Sequence, residues 1–150
     1  MAHTFTNLLT HIIFSTKDRA PYIDAEVKRE LLAYLGGMVR EVNGKAYAIN
    51  GTADHVHLLV SLPPTIALSD AMKVVKANSS RWVSEKWVTR KAFGWQTGYG
   101  AFSVSRSNVS DVLKYIANQE EHHRKITFKE EFVAFLKKHE INYDERYIWE

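Results

Sequence analysis

The chain has 150 residues, 45% of them hydrophobic, which suffices for one compact domain spanning 1–150 and is too little for two. It contains no cysteine, excluding disulfides, cysteine-ligated zinc and thiol catalysis; with no apolar leader and no apolar run of membrane-spanning length, it fits a reducing cytoplasm. A net charge of +3 and a pI near 9.1 are too mildly basic to argue for nucleic-acid binding alone.

Residues 4–16 read as a first strand, with Leu8, Ile12 and Phe14 on one face and Leu9 and Ile13 on the other, a two-sided pattern expected in the middle of a sheet. Asp24 then caps a helix carrying Val27, Leu31, Leu35, Met38 and Val42 inward until Asn43-Gly44, with Gly36-Gly37 weakening its interior. Residues 45–50 and 55–62 form two strands of an antiparallel hairpin whose connection contains the turn signal Asn50-Gly51. After Pro63-Pro64, a helix over 66–87 directs Met72, Val75, Ser79, Trp82 and Val83 inward. Its basic residues point outward: Lys73, Lys76, Arg81, Lys86, Arg90 and Lys91 share residues 70–91 with only Asp70 and Glu85, a local positive surface. Gly94, Gly98 and Gly100 lead into a fourth strand near 101–105. A third helix spans 109–124, and a fourth, boxed by Thr127 and Glu130, continues to about His139. Tyr143, Tyr147 and Trp149 are too aromatic for solvent and call for cover from the body or a partner. The order β-α-β-β-α-β predicts an α+β, ferredoxin-like antiparallel sheet with additional C-terminal helices, a topology that hosts many functions.

Chemistry concentrates in two segments. In Asp54-His55-Val56-His57-Leu58-Leu59-Val60, side-chain alternation puts both imidazoles on one strand face, opposite the core residues Val56, Leu58 and Val60; that is a metal-ligand geometry. In Lys114-Tyr115-Ile116-Ala117-Asn118-Gln119, Tyr115 and Gln119 are four apart on one helix face, beside the apolar stripe of Val109, Val112, Leu113 and Ile116. Together they suggest a metal-assisted tyrosine nucleophile. Imidazoles accept zinc, manganese and other ions, whereas an amide oxygen and a phosphate favour a harder cation. His11 reads as a buried, hydrogen-bonded strand residue, and His122 and His123 as cations placed at a helix C-terminus or as groups at the DNA or the metal. Lys17, Arg19, Arg81, Arg90 and Lys91 are candidate phosphate contacts. Trp87, Trp95 and Phe102 could stack on unpaired bases, Trp82 less so because it faces the expected core.

Thr10-His11-Ile12-Ile13-Phe14-Ser15-Thr16-Lys17, the His55-Val56-His57 strand with Pro63-Pro64 behind it, and Tyr115-Ile116-Ala117-Asn118-Gln119 together resemble the single-tyrosine HUH transposases of the insertion-sequence 200/605 family, in order and over essentially the whole chain. The resemblance implies His55, His57 and Gln119 as metal ligands, magnesium or manganese as the ion, and Tyr115 as the nucleophile forming a 5′-phosphotyrosine. It further implies hairpin-bearing single-stranded DNA as substrate, and a homodimer in which the His pair of one chain faces Tyr115 of the other. Leu59 shares its strand face with the two histidines, so something must cover that face. A domesticated or inactive relative that binds structured single strands without cutting them is the alternative.

Overall fold

The computed structural model describes residues 3–150. Its four strands are β1 (Leu9–Ser15), β2 (Lys45–Gly51), β3 (His55–Ser61) and β4 (Gly100–Ser103). They form one antiparallel sheet in the order β2-β3-β1-β4. The helices are α1 (Ala25–Glu41), α2 (Leu68–Lys86), α3 (Val109–Ala117), the single turn α4 (Gln119–His122) and α5 (Phe128–Lys138). This is the ferredoxin-like arrangement the element order predicts, with α4 and α5 added after β4.

The sheet is covered on both faces, which explains why β1 and β3 carry apolar residues on both faces. Ile12, Phe14, Val56, Leu58 and Val60 pack against Val27, Leu31, Leu35 and Val39 of α1 and Met72, Val75 and Val83 of α2. On the opposite face, Leu9 and Leu59 meet Val109 and Ile116 of α3, while Ile13 and Phe102 meet Phe128, Phe132 and Leu136 of α5. Burying a large aliphatic or aromatic side chain contributes roughly 1.5–3 kcal/mol, so these helices are held mainly by their apolar stripes. The cover demanded by Leu59 comes from the chain's own α3.

Local chemistry sets the boundaries. The Asp24 carboxylate accepts from the backbone N–H of Glu26 and Val27, and the Thr127 hydroxyl accepts from that of Glu130, so both expected caps form. Asn43 stops α1 with a φ of 61°, in the left-handed region that asparagine tolerates. Four expectations change. The first strand starts only at Leu9: Phe5 is 91% exposed and Leu8 lies outside the sheet. Asn50-Gly51 is not the turn but the end of β2, paired with His57 and Val56, and Thr52-Ala53-Asp54 makes the connection. The helix expected over 109–124 breaks at Asn118. Asn50 accounts for that break: its side-chain amide donates to the Ile116 carbonyl at 2.8 Å and to that of Ala117 at 3.3 Å, oxygens that a continuous helix would use itself. The tail packs on the body through Tyr143 and Trp149, while Tyr147 stays exposed.

Candidate active site

Each element delivers one part of the site. On β3, His55 and His57 project from the face opposite Val56 and Leu58, as the alternation requires, and neither has any exposed surface. β1 adds His11 beside them, because Ile13 pairs with His57 and His11 with Leu59. α3 presents Tyr115, and the break at Asn118 turns Gln119 inward, where it is fully buried. α4 and the residue after it supply His122 and His123. α5 supplies Glu131, which is 1% exposed because it lies on the helix face that carries Phe128, Phe132 and Phe135.

Glu131 is the centre of the arrangement. Its Oε1 lies 2.9 Å from His57 Nε2, 3.0 Å from His123 Nε2 and 3.5 Å from His55 Nε2. Its Oε2 accepts the Tyr115 hydroxyl and lies 3.2 Å from His122 Nε2, which is itself 3.2 Å from the phenol. The other imidazole nitrogens are taken: His55 Nδ1 by the Asp54 carboxylate at 2.8 Å, His123 Nδ1 by the Ile126 carbonyl at 2.9 Å, and His57 Nδ1 by His11 Nε2 at 2.8 Å. Gln119 donates its amide N–H to the Tyr115 carbonyl, aiming Oε1 at His55 Nε2, 3.3 Å away. One ligand atom from each of His55, His57, His123 and Glu131 lies within 4.8 Å of the others, so the four could hold a metal ion. The donor set fits one: His123 Nε2 is buried and makes no hydrogen bond to any protein group.

Burial governs the protonation states. It lowers His11 to about 3, helped by the neighbouring His57, and lowers His57 to about 4 against the opposing pull of Glu131, so both rings are neutral at physiological pH. For His55 burial acts in the same direction, but the Asp54 and Glu131 carboxylates outweigh it and raise its pKa. Burial and the Glu131 carboxylate push the Tyr115 phenol up, so it stays protonated at physiological pH, with Glu131 Oε2 and His122 Nε2 beside it as proton acceptors. Burial would also raise Glu131, yet the imidazoles of His123, His55 and His57 gathered around it hold it well below the usual carboxylate range.

A cleft of about 500 Å³ opens beside the phenol, lined by Tyr115, His122, Glu131, His11, Phe135 and Lys138 among others. It is large enough for a small ligand fragment. The structure therefore brings together His55, His57, Tyr115 and Gln119. It adds Glu131, which the sequence reading missed, and draws in His123, which that reading left between a helix-end cation and a metal or DNA group. The signal for Glu131 was its position: a carboxylate between Phe128 and Phe135 on an apolar helix stripe has no solvent to face.

The basic candidates separate. Lys17, Arg81 and Lys91 are exposed. Arg19 lies over the Trp149 ring, and Arg90 is engaged by Asp24 and the Tyr22 carbonyl. Lys86 pairs with Glu30, and Lys76 does not point outward as its helix position suggested: its ammonium donates to the carbonyls of Gln96, Thr97 and Gly98 at 2.6–3.1 Å. Trp87, Trp95 and Phe102 are buried in the two cores and offer no stacking platform, whereas Trp82 is half-exposed and stacks on Tyr34 with ring centroids 4.4 Å apart.

A four-stranded ferredoxin-like sheet with a His-Val-His strand facing a helical tyrosine and glutamine defines a class of proteins, and comparison with known proteins gives the family. The chain belongs to the IS200-like transposases, whose family pattern matches residues 4–119. It is 29% identical over 124 residues to the transposase for insertion sequence element IS200 of Salmonella typhimurium, covering 79% of this chain and 81% of that protein. It is also 29% identical over 114 residues to the ISDra2 transposase TnpA of Deinococcus radiodurans, covering 73% and 81%. Among solved structures, a transposase-like protein of Deinococcus radiodurans R1 superposes with a TM-score of 0.63 at 25% identity, covering 79% of this chain and 95% of that one. A REP-associated tyrosine transposase bound to a REP hairpin shares the fold, with a TM-score of 0.62 at 12% identity over 84% and 74% of the two chains. No helix among the described residues is long and apolar enough to cross a membrane.

Proposed function

We propose that this protein is a single-strand DNA transposase that binds hairpin-bearing strands, cleaves beside the hairpin through Tyr115 and rejoins strands. The observation carrying this reading is that one carboxylate, Glu131, touches both the Tyr115 phenol and the paired histidines at the edge of an open cleft. The hairpin-bound relative that shares the fold supports the choice of substrate.

Tyr115 Oη attacks the phosphorus and displaces the 3′ oxygen, leaving a 5′-phosphotyrosine and a free 3′-OH. The phenol proton has two acceptors in reach, Glu131 Oε2 and His122 Nε2. Because the covalent link preserves the phosphodiester's energy, a second 3′-OH can attack it and reseal DNA. His55 and His57, with Gln119 Oε1 beside them, would hold a divalent cation, magnesium or manganese on the family resemblance. Such an ion polarises a phosphodiester oxygen and offsets charge building at phosphorus. Lys17, Arg19, Arg81, Arg90 and Lys91 are the candidate contacts for backbone phosphates; Arg19 would first have to leave Trp149, and Arg90 to leave Asp24. The resemblance also implies a homodimer: with Tyr115 on α3 and the paired histidines on β3, copies that exchange α3 would build the same site from two chains.

A labelled single strand carrying a hairpin, incubated with metal and run on a denaturing gel, tests the reading. The unmodified protein forms a covalent adduct. Tyr115→Phe retains hairpin binding and forms none, and His57→Ala or excess chelator abolishes the adduct. An adduct persisting in Tyr115→Phe assigns the nucleophile elsewhere; hairpin binding by the unmodified protein without any adduct identifies a non-cleaving relative.

A further inference from the structure

Building on the metal-dependent reading above, we infer that His123 and Glu131, both beyond the stretch that matches the family pattern, are metal ligands alongside His55 and His57, forming a three-imidazole, one-carboxylate centre of transition-metal type. The ring orientations carry the argument. His123 Nδ1 faces a backbone carbonyl and His55 Nδ1 a carboxylate, so both rings turn Nε2 inward. Those nitrogens converge on Glu131 Oε1 from 3.0 and 3.5 Å, with His57 Nε2 at 2.9 Å. One ligand atom from each of the four residues lies within 4.8 Å of the others, and His123 Nε2 is left buried without a hydrogen-bond partner, a polar atom that a cation at the centre of the four would satisfy.

The spacing also fits. Ligand atoms bound at about 2.0–2.1 Å around a tetrahedral ion are about 3.3 Å apart, and the three separations to Oε1 bracket that value. Metal-bound histidines characteristically tie their second nitrogen to a carboxylate, a carbonyl or another acceptor, as all three do here. Of the two ions the resemblance implies, three imidazoles favour manganese, together with zinc, cobalt or copper, over magnesium, which prefers oxygen ligands and retained waters. Residues 119–131 thus contribute as much to the centre as the strand histidines do, and loading the ion pins α5 to the sheet.

The test uses the full chain stripped with a chelator and titrated with Co2+, following visible absorption and the shift in melting temperature. Glu131→Gln and His123→Asn should each weaken Co2+ binding tenfold or more and lose most of the thermal shift, and Mg2+ in large excess should not displace the ion. Because a buried Glu131→Gln could disturb folding, Cu2+ bound to the unmodified chain provides an independent count. Its nitrogen hyperfine couplings should report three imidazoles. Two imidazoles, or unchanged affinity in folded variants, overturns the inference while leaving the transposase reading intact. Ready displacement by Mg2+ overturns the metal class. If the unmodified protein binds no metal, both the inference and the metal dependence of the proposed reaction fail, and covalent adduct formation in chelator would then show that the tyrosine chemistry survives alone.

Discussion

Asn50 and Gly51, adjacent at the end of β2, do separate jobs that a turn dipeptide would not. Asn50 bonds the carbonyls of Ile116 and Ala117 and so fixes where α3 ends and Gln119 turns inward. Asn50→Ala should therefore cost about 1–2 kcal/mol, read by denaturant unfolding, and loosen Gln119. At Gly51 a Cβ would overlap the His55 carbonyl, a backbone atom that can yield only if the hairpin shifts. Gly51→Ala should thus lower stability by about 2 kcal/mol or more and displace His55, seen as weakened metal binding. Strand alternation made His55 and His57 legible because a period of two is dictated by the backbone. It did not reveal what Asn50 bonds, since an amide's partner 66 residues away leaves no trace in local pattern.

At the scale of elements, the order and type of strands and helices followed from periodicity and punctuation. Thr127 capped its helix as its side-chain chemistry required, and both central strands were apolar on both faces because helices cover both. Where the reading erred, tertiary contacts had overridden local preference, as in the helix that Asn50 interrupts. α5 was legible as a helix but not as the lid of the site, because an amphipathic stripe does not name what it packs against. Phe132 anchors that lid at 5% exposure against Ile13 and Phe102. Phe132→Ala should cost about 3–5 kcal/mol in thermal or denaturant unfolding, and it should weaken metal binding through Glu131 without touching a ligand.

For the whole molecule, the proposed homodimer sets an expectation for mixtures. His57→Ala protein combined with Tyr115→Phe protein should recover adduct formation, since an exchanged heterodimer carries one intact site built from the two chains; no recovery in demonstrated heterodimers would assign each site to a single chain. Recovery would show that copies exchange α3 and complete each other's sites, the assembly the family resemblance implies.

The fully covered histidine pair has a kinetic meaning. His55 and His57 have no exposed surface while α5 lies over them, so direct contact between a phosphodiester and these rings would require that helix to lift, whereas the Tyr115 phenol already faces the cleft. If lifting accompanies DNA binding, it adds a step before bond-making at phosphorus. Amide hydrogens of Phe128–Lys138 should exchange with solvent faster than those of β1 and β3, and faster still when single-stranded DNA is bound.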